Sequence, residues 1–294
     1  MAGSNSIIEN DVLRVEISAT GAELQSVFFK PKNLEMLWQG NPAFWPRRAP
    51  LLFPNIGELN NGVYRVKGRE YELGRHGFLR KSELKVIEKS AAKIGFELRS
   101  SNETLEVYPF MFCMEIWYEL IGNSLKHQFK LINDDAETMF YQLGGHPAFN
   151  ICHFAGEELS DYYLEFPVEG LPEMHLLNHN GLFNGKTKKL KLQQGKLPIS
   201  QSLFNNDALV FKSLNFDTVQ LKSHKHDLGI QVDFVGFPQL GIWSKPGAPF
   251  VCIEPWLGCA DHEGFEGDIS ERFGVQELGA NNETLHEFSV RVLG

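Results

Sequence analysis

Hydrophobic and polar residues alternate along most of this chain, and this period of two restricts the fold more than any other feature. In the segment 124–132, Leu125, Phe129 and Leu131 share one face with His127, while lysines and a glutamine occupy the other. The same alternation recurs in the segments 12–18, 82–88, 94–100, 112–120, 217–222 and 228–235. Turn signals such as Asn-Asn-Gly at 60–62 separate these segments. The pattern predicts a mainly antiparallel, all-β protein in which His127 is a buried structural residue.

Helical periodicity is scarce in the sequence. Only 101–107 and 266–273 favour one or two helical turns, and neither repeats as the crossover helix of a parallel sheet would. The basic segment 178–200 is typical of a hairpin on the surface. Because no linker, low-complexity run or fixed-period repeat divides the 294 residues, a single domain over 1–294 is expected.

Charge and composition exclude several classes of protein. The net charge of −9 argues against a nucleic-acid surface, which needs clustered positive charge. No apolar run approaches the roughly 20 residues that a membrane helix requires. The four cysteines lack the C-x-x-C spacing, and the first residues lack the features of a signal peptide, so a cytoplasmic location is expected.

No cofactor motif stands out. The sequence has no Gly-rich phosphate loop, no G-x-S-x-G and no H-E-x-x-H. The string H-K-H-D at 224–227 places two histidines on one face of a strand, but a third ligand with matching spacing is missing. We interpret it as an exposed hairpin turn and predict neither a metal nor a cofactor.

Two histidines lie beside glycine in strings that suit a binding site. His76 belongs to R-H-G-F-L-R (75–80), where the glycine leaves room for a ligand. His146 belongs to G-G-H-P-A-F-N (144–150), and Pro147 is expected to end the strand 139–143 and leave the imidazole at a sheet margin. The alternatives are a hydrogen-bonded loop histidine for His76 and a turn with an incidental histidine for His146.

Glu254 follows the apolar run 250–253 within C-I-E-P-W-L-G (252–258). A buried carboxylate is costly unless it is paired or functional, and desolvation would raise its pKa towards that of a general base. Pro255 and Trp256 are expected to turn the chain, with the indole offered to the apolar face of a sugar. The alternative is a structural ion pair between Glu254 and an arginine of P-R-R-A-P (46–50).

Five strings together resemble the aldose 1-epimerase (mutarotase) superfamily, and its LacX-like branch in particular. The resemblance covers roughly residues 6–292 and rests on R-A-P-L-L-F-P-N-I-G (48–57), R-H-G-F-L-R, G-G-H-P-A-F-N, N-D-A-L-V-F (206–211) and F-V-C-I-E-P-W-L-G (250–258). It implies a β-supersandwich, in which large antiparallel sheets pack on each other and the site lies in an open cleft.

The resemblance also implies roles for single residues. Glu254 matches the general base of the family and His146 its general acid. The residues implied in sugar binding are His76, Arg48, Arg80, Trp256 and Asp207, with Asp233 as the fallback carboxylate.

The implied activity is the interconversion of the α and β anomers of a hexose through ring opening. A hexose-6-phosphate substrate, a non-catalytic sugar-binding or sensing role, and glycoside hydrolysis by Glu254 with Asp207 remain as alternatives. The expected partner is a small sugar, and the choice between monomer and homodimer stays open.

Overall fold

The computed structural model describes residues 5–294, in which twenty-five strands and one short helix, α1 (Asn102–Val107), are formed. The strands are β1 (Ser6–Glu9), β2 (Leu13–Ile17), β3 (Leu24–Phe29), β4 (Leu34–Glu35), β5 (Leu51–Leu52), β6 (Val63–Val66), β7 (Arg69–Glu72), β8 (Lys85–Lys89), β9 (Lys93–Arg99), β10 (Phe112–Ile121), β11 (Ser124–Asn133), β12 (Met139–Tyr141), β13 (Leu143–Gly145), β14 (Ala148–Asn150), β15 (Tyr162–Glu165), β16 (Met174–Leu177), β17 (Phe183–Lys188), β18 (Lys196–Pro198), β19 (Leu209–Phe211), β20 (Thr218–Ser223), β21 (Gly229–Asp233), β22 (Gln239–Trp243), β23 (Phe250–Leu257), β24 (Gln276–Leu278) and β25 (Glu283–Leu293). The all-β prediction is therefore confirmed.

Two large sheets dominate the architecture. One has nine strands in the order β18-β15-β20-β21-β25-β11-β10-β9-β8. The other runs β17-β16-β19-β22-β23-β13-β5, with β14 also paired to β23. Smaller sheets are β1-β2-β3-β4, β12-β24 and β6-β7. Every pairing between these strands is antiparallel, as the alternating pattern predicted.

The two large sheets pack face to face across a shared hydrophobic core. Phe129 and Val290 of the nine-stranded sheet belong to the same buried cluster as Leu143 and Ile253 of the other sheet. The contact is close at Gly145, where an added Cβ would lie 2.7 Å from the Phe288 ring. His127 is buried within this interface, between the rings of Tyr118 and Phe129 at 4.4 Å. The structural assignment of His127 is confirmed.

Strand β23 is buried on both of its faces along its whole length. Val251, Ile253 and Leu257 point into the core between the large sheets. Cys252 and Trp256 belong to two smaller clusters on the opposite face of the sheet, so Glu254, which lies between them in the alternation, shares that face.

The prediction that Pro255 and Trp256 turn the chain is wrong, because β23 continues to Leu257. The Ile253 N–H points towards the Pro147 carbonyl, so the nitrogen of Pro255, two residues on, faces the same side. On that side the neighbouring strand is interrupted between β13 and β14. A proline there forfeits no ladder hydrogen bond, so the strand tolerates it.

The remaining local predictions are largely confirmed. Helix α1 occupies the segment 101–107, and a single 3₁₀ turn, Ile269–Glu271, occupies 266–273. The segment 178–200 does contain exposed strand residues, but Gly181 and Phe183 near its start line a cleft rather than the outer surface. Within residues 5–294, none of the helices has the length and apolar character needed to cross a membrane.

Candidate active site

A cleft of about 560 Å³ opens on the face of the eight-stranded sheet that points away from the shared core. Its side chains come from distant parts of the chain, which the antiparallel pairing brings together. The residues that line it include Trp45, Arg75, His76, Arg80, His146, Asp207, Trp243, Lys245, Glu254 and Trp256.

His146 and Glu254 meet at the base of the cleft because of strand register. The pairing of Ala148 with Cys252 in β14 and β23 places His146 opposite Glu254. His146 Nε2 lies 3.3 Å from Glu254 Oε2, and both side chains are buried. The strand is interrupted at His146 and Pro147, between β13 and β14. The imidazole therefore lies at an interruption inside the sheet rather than at its margin.

Burial sets the protonation of this pair. It raises the pKa of the Glu254 carboxyl well above its usual range, while the nearby positive charge of Arg75 opposes the shift. It also lowers the pKa of the His146 imidazole to about 3. Glu254 Oε2 and His146 Nδ1 have no hydrogen-bond partner among the described residues. The pair is therefore desolvated and leaves acceptor and donor capacity for a ligand.

His76 lines the cleft next to His146. Its Nδ1 accepts a hydrogen bond from the Gly57 N–H at 3.1 Å, so the neutral ring carries its proton on Nε2. Burial lowers the pKa of His76 well below its usual value, which keeps the ring neutral. Its centroid lies 5.8 Å from that of His146. An added Cβ at the neighbouring Gly77 would lie 2.1 Å from the Phe53 carbonyl oxygen, so only glycine fits there.

Two tryptophans that the sequence analysis missed enclose His146. Trp45 stacks on the imidazole with centroids 4.9 Å apart, and Trp243 meets it edge-on at 5.9 Å. Trp45 lies in a loop without a regular pattern, so no local signal marked it. Trp243 ends β22 opposite Cys252, a position that depends on strand pairing.

Of the two arginines expected to bind the sugar, Arg48 and Arg80, only Arg80 lines the cleft. Arg80 lines the cleft, as does Arg75, whose Nε lies 3.7 Å from Glu58 Oε1. Arg48 is not among the cleft-lining residues, because its Nη1 donates to Gln25 Oε1. Arg75 directly precedes His76 in the R-H-G-F-L-R string. Its position next to this histidine could have identified it from the sequence.

No arginine of 46–50 pairs with Glu254. Arg47 lies 3.5 Å from Glu23, and the backbone N–H of Arg48 donates to the same carboxylate. The alternative of a structural arginine–Glu254 ion pair is therefore wrong, and the contact of Glu254 with His146 takes its place.

The two candidate carboxylates lie in different places. Asp207 lines the cleft in a left-handed backbone conformation (φ 74°) and raises the pKa of Glu254 through its charge. Asp233 belongs to β21 in the nine-stranded sheet and accepts hydrogen bonds from Gln231. Asp207 alone of the two is near the cleft residues.

Trp256 lines the cleft beside Glu254, and its Nε1 is buried without a hydrogen-bond partner among the described residues. Its ring lies over Gly241, where an added Cβ would come within 2.4 Å of the indole. Glycine at this position in the neighbouring strand therefore leaves the space that the indole fills.

Cys252 lies below the pair, two residues before Glu254 on the same face of β23. Its Sγ, a nitrogen of His146 and a carboxylate oxygen of Glu254 all lie within 4.8 Å of one another. Within residues 5–294, the H-K-H-D string forms no such group, and His226 instead lies 2.9 Å from Glu157.

Comparisons of sequence and of structure with known proteins agree on one family. Residues 5–266 match the aldose 1-epimerase family. The chain is 36% identical over 260 residues to the chromosomal LacX protein of Lactococcus lactis, which covers 85% of this chain and 87% of that protein.

Two solved structures are also similar. A galactose mutarotase related enzyme from Lactobacillus acidophilus has a TM-score of 0.94 at 34% identity, covering 98% of this chain and 97% of that one. A galactose mutarotase-like protein from Lactobacillus casei has a TM-score of 0.92 at 31% identity, covering 98% and 100%. By sequence and fold, this chain belongs to the aldose 1-epimerase family.

Proposed function

We propose that this protein is an aldose 1-epimerase that interconverts the α and β anomers of a hexose. The observation that carries the proposal is the buried contact of 3.3 Å between Glu254 and His146 at the base of an open cleft. A carboxyl and an imidazole in contact suit a reaction that takes a proton from one oxygen and gives a proton to another.

Ring opening of the hemiacetal assigns one role to each group. The Glu254 carboxylate removes the proton from the anomeric O1 hydroxyl while His146 protonates the ring oxygen, and the C1–O5 bond breaks. Rotation about C1–C2 and the reverse transfers close the ring with O1 on the other face. Concerted transfer avoids a free alkoxide, and each proton transfer contributes about 10²–10⁴-fold to the rate.

The pKa directions fit a shared proton. A neutral carboxyl beside a neutral imidazole holds as many protons as a carboxylate beside an imidazolium. Burial raises the pKa of Glu254 and lowers that of His146, and both shifts favour the neutral pair. The contact between them lets the proton pass to His146 when a sugar hydroxyl is ready to give its own to Glu254.

A phosphorylated hexose is the second candidate substrate, and a specific observation favours it. Arg75, Arg80 and Lys245 all line the cleft, and the Arg80 Nε is buried without a partner among the described residues. Guanidinium groups bind phosphate through paired hydrogen bonds. The rest of the mechanism is unchanged, because the phosphate lies away from C1.

The test is a measurement of anomer interconversion, by polarimetry or NMR exchange, for free and phosphorylated hexoses. Glu254→Gln and His146→Asn should each lower kcat by at least about 10²-fold with a smaller effect on sugar binding. Two variants of exposed residues outside the cleft, Glu287→Gln and His179→Asn, serve as matched controls and should keep full activity.

Full mutarotation rates in both site variants would overturn the assignment. Binding of sugars by the wild type without any acceleration of anomer exchange would favour the non-catalytic sugar-binding role. Release of product from a chromogenic glycoside, abolished in Asp207→Asn and Glu254→Gln, would favour glycoside hydrolysis instead.

A further inference from the structure

Three side chains at the base of the cleft form a set that acid–base chemistry alone does not require. Anomer exchange needs Glu254 and His146, but it has no step for the thiol of Cys252. The ligand atoms of the three residues nevertheless lie within 4.8 Å of one another, and all three side chains are buried. One nitrogen, one sulfur and one oxygen converging in this way are the donors that zinc prefers.

Strand geometry explains why the set converges. Cys252 and Glu254 are two residues apart in β23 and therefore point the same way. Ala148, the partner of Cys252 in β14, is small, and His146 lies two residues before it on the same face. The imidazole thus has Glu254 directly opposite and Cys252 on the diagonal.

The spacing is close to that of a tetrahedral site. Zinc bonds of about 2.0–2.3 Å place neighbouring ligand atoms roughly 3.5 Å apart. His146 Nε2 and Glu254 Oε2 already lie 3.3 Å apart, and the Cys252 sulfur lies within 4.8 Å of a ligand atom of each. Glu254 Oε2 has no hydrogen-bond partner among the described residues, so none of them holds this oxygen away from a metal.

We propose that the base of the cleft is a binding site for a thiophilic divalent cation such as Zn²⁺, held by His146, Cys252 and Glu254. Of the three ligands, His146 and Glu254 line the cleft, so we expect the fourth position on that side. Three metal–ligand bonds form, and the thiol proton, with the carboxyl proton where present, leaves to solvent, so no oxidant or reductant is involved. A thiolate and a carboxylate neutralise the two charges of the ion, which suits a buried place.

The consequence for activity rests on the proposed function. A bound cation occupies the oxygen of Glu254 that accepts the proton and the imidazole that donates one. Zn²⁺ should therefore inhibit anomer exchange, and Mg²⁺, which prefers oxygen ligands, should not. In Cys252→Ala the rate of anomer exchange should therefore be the same with and without Zn²⁺, each compared within that variant.

The deciding experiment is independent of activity. Co²⁺ added to the chelator-treated protein should give the near-ultraviolet charge-transfer band of a thiolate ligand, and calorimetry should give one Zn²⁺ per chain. Cys252→Ala should abolish the band and weaken Zn²⁺ binding by at least about 10–100-fold. Mutation of residues that only hydrogen-bond to metal ligands already lowers metal affinity by that factor. Cys113→Ala, which removes a buried cysteine from β10, is the matched control and should keep both signals.

Cys252→Ser serves if the alanine variant does not fold, because it keeps the size of the side chain. Absence of the band in the wild type, or its persistence in both Cys252 variants, would overturn the metal site. Tight Zn²⁺ binding without any anomer exchange would leave the metal site standing and reject the proposed function. Anomer exchange by a protein that does not bind Zn²⁺ and is not inhibited by it would reject the metal site and leave the proposed function standing.

Discussion

Arg48 and Arg75 have different surroundings, and the difference separates binding from stability. The side chain of Arg75 is half exposed within the cleft, whereas that of Arg48 is tied to Gln25 beside the four-stranded sheet. The Arg48 carbonyl also accepts a hydrogen bond from Ala148 N, which fixes the start of β14. Both residues belong to strings that carry site residues, but only Arg75 lines the cleft.

Replacement of the two arginines should therefore give opposite results. Arg75→Ala should lower kcat/KM by about 10–100-fold, the effect of losing a charged hydrogen bond of about 1.5–3 kcal/mol, and leave the thermal midpoint nearly unchanged. Arg48→Ala should lower the midpoint and leave KM close to that of the wild type. Steady-state kinetics and thermal unfolding of both variants make the comparison. A larger rise of KM in Arg48→Ala would contradict it.

His127 should make the fold sensitive to acid. Burial lowers the pKa of its imidazole from 6.5 to about 3, so the folded ring stays neutral where the unfolded ring takes up a proton. Its contribution to stability is complete above pH 6.5 and is lost as the pH falls from there towards about 3. At about pH 5 the loss should be about 2 kcal/mol.

Urea denaturation at about pH 7.5 and pH 5 measures this contribution. In His127→Leu the decrease in the free energy of unfolding between the two conditions should be smaller than in the wild type by about 2 kcal/mol. His179→Leu, which changes an exposed histidine in a turn, should behave as the wild type does. An unchanged decrease in His127→Leu would show that another group carries the acid sensitivity.

At the scale of elements, the pairing of β22 with β23 controls the shape of the cleft. Trp256 fills the space over Gly241. Gly241→Ala should push the indole aside, lower stability by about 1–3 kcal/mol and raise KM for the sugar several-fold. Kinetics with urea denaturation test both effects.

Gly170→Ala is the matched control, because an added Cβ there meets nothing within 4 Å and the backbone conformation suits alanine. It should be neutral in both measurements. Full stability in Gly241→Ala would mean that the indole relaxes without cost, and the proposed role of the glycine would be withdrawn.

Most strands of the nine-stranded sheet could be predicted because each carries its own alternation, as in β10 and β11. His146 and Glu254 could be singled out because a histidine between Gly-Gly and Pro, or a glutamate after an apolar run, is unusual by itself. The continuation of β23 through Pro255 could not be predicted, since it depends on the gap between β13 and β14. The same holds for Trp45, which reaches His146 only through the folded arrangement of its loop.

At the scale of the whole molecule, one hydrophobic cluster runs from Ile8 to Val292 and includes residues of both large sheets. We therefore expect the described residues to unfold as one unit. Differential scanning calorimetry should show a single transition whose van't Hoff and calorimetric enthalpies agree. Two resolved transitions, or a stable fragment after limited proteolysis, would contradict the single domain.

The position of β25 in the nine-stranded sheet affects how the chain folds. It lies between β21 and β11 and joins four strands on one side of the nine-stranded sheet to four on the other. Until residues 283–293 leave the ribosome, both flanking strands expose unpaired backbone edges. Nascent chains halted before this point should therefore be prone to aggregate and to recruit chaperones.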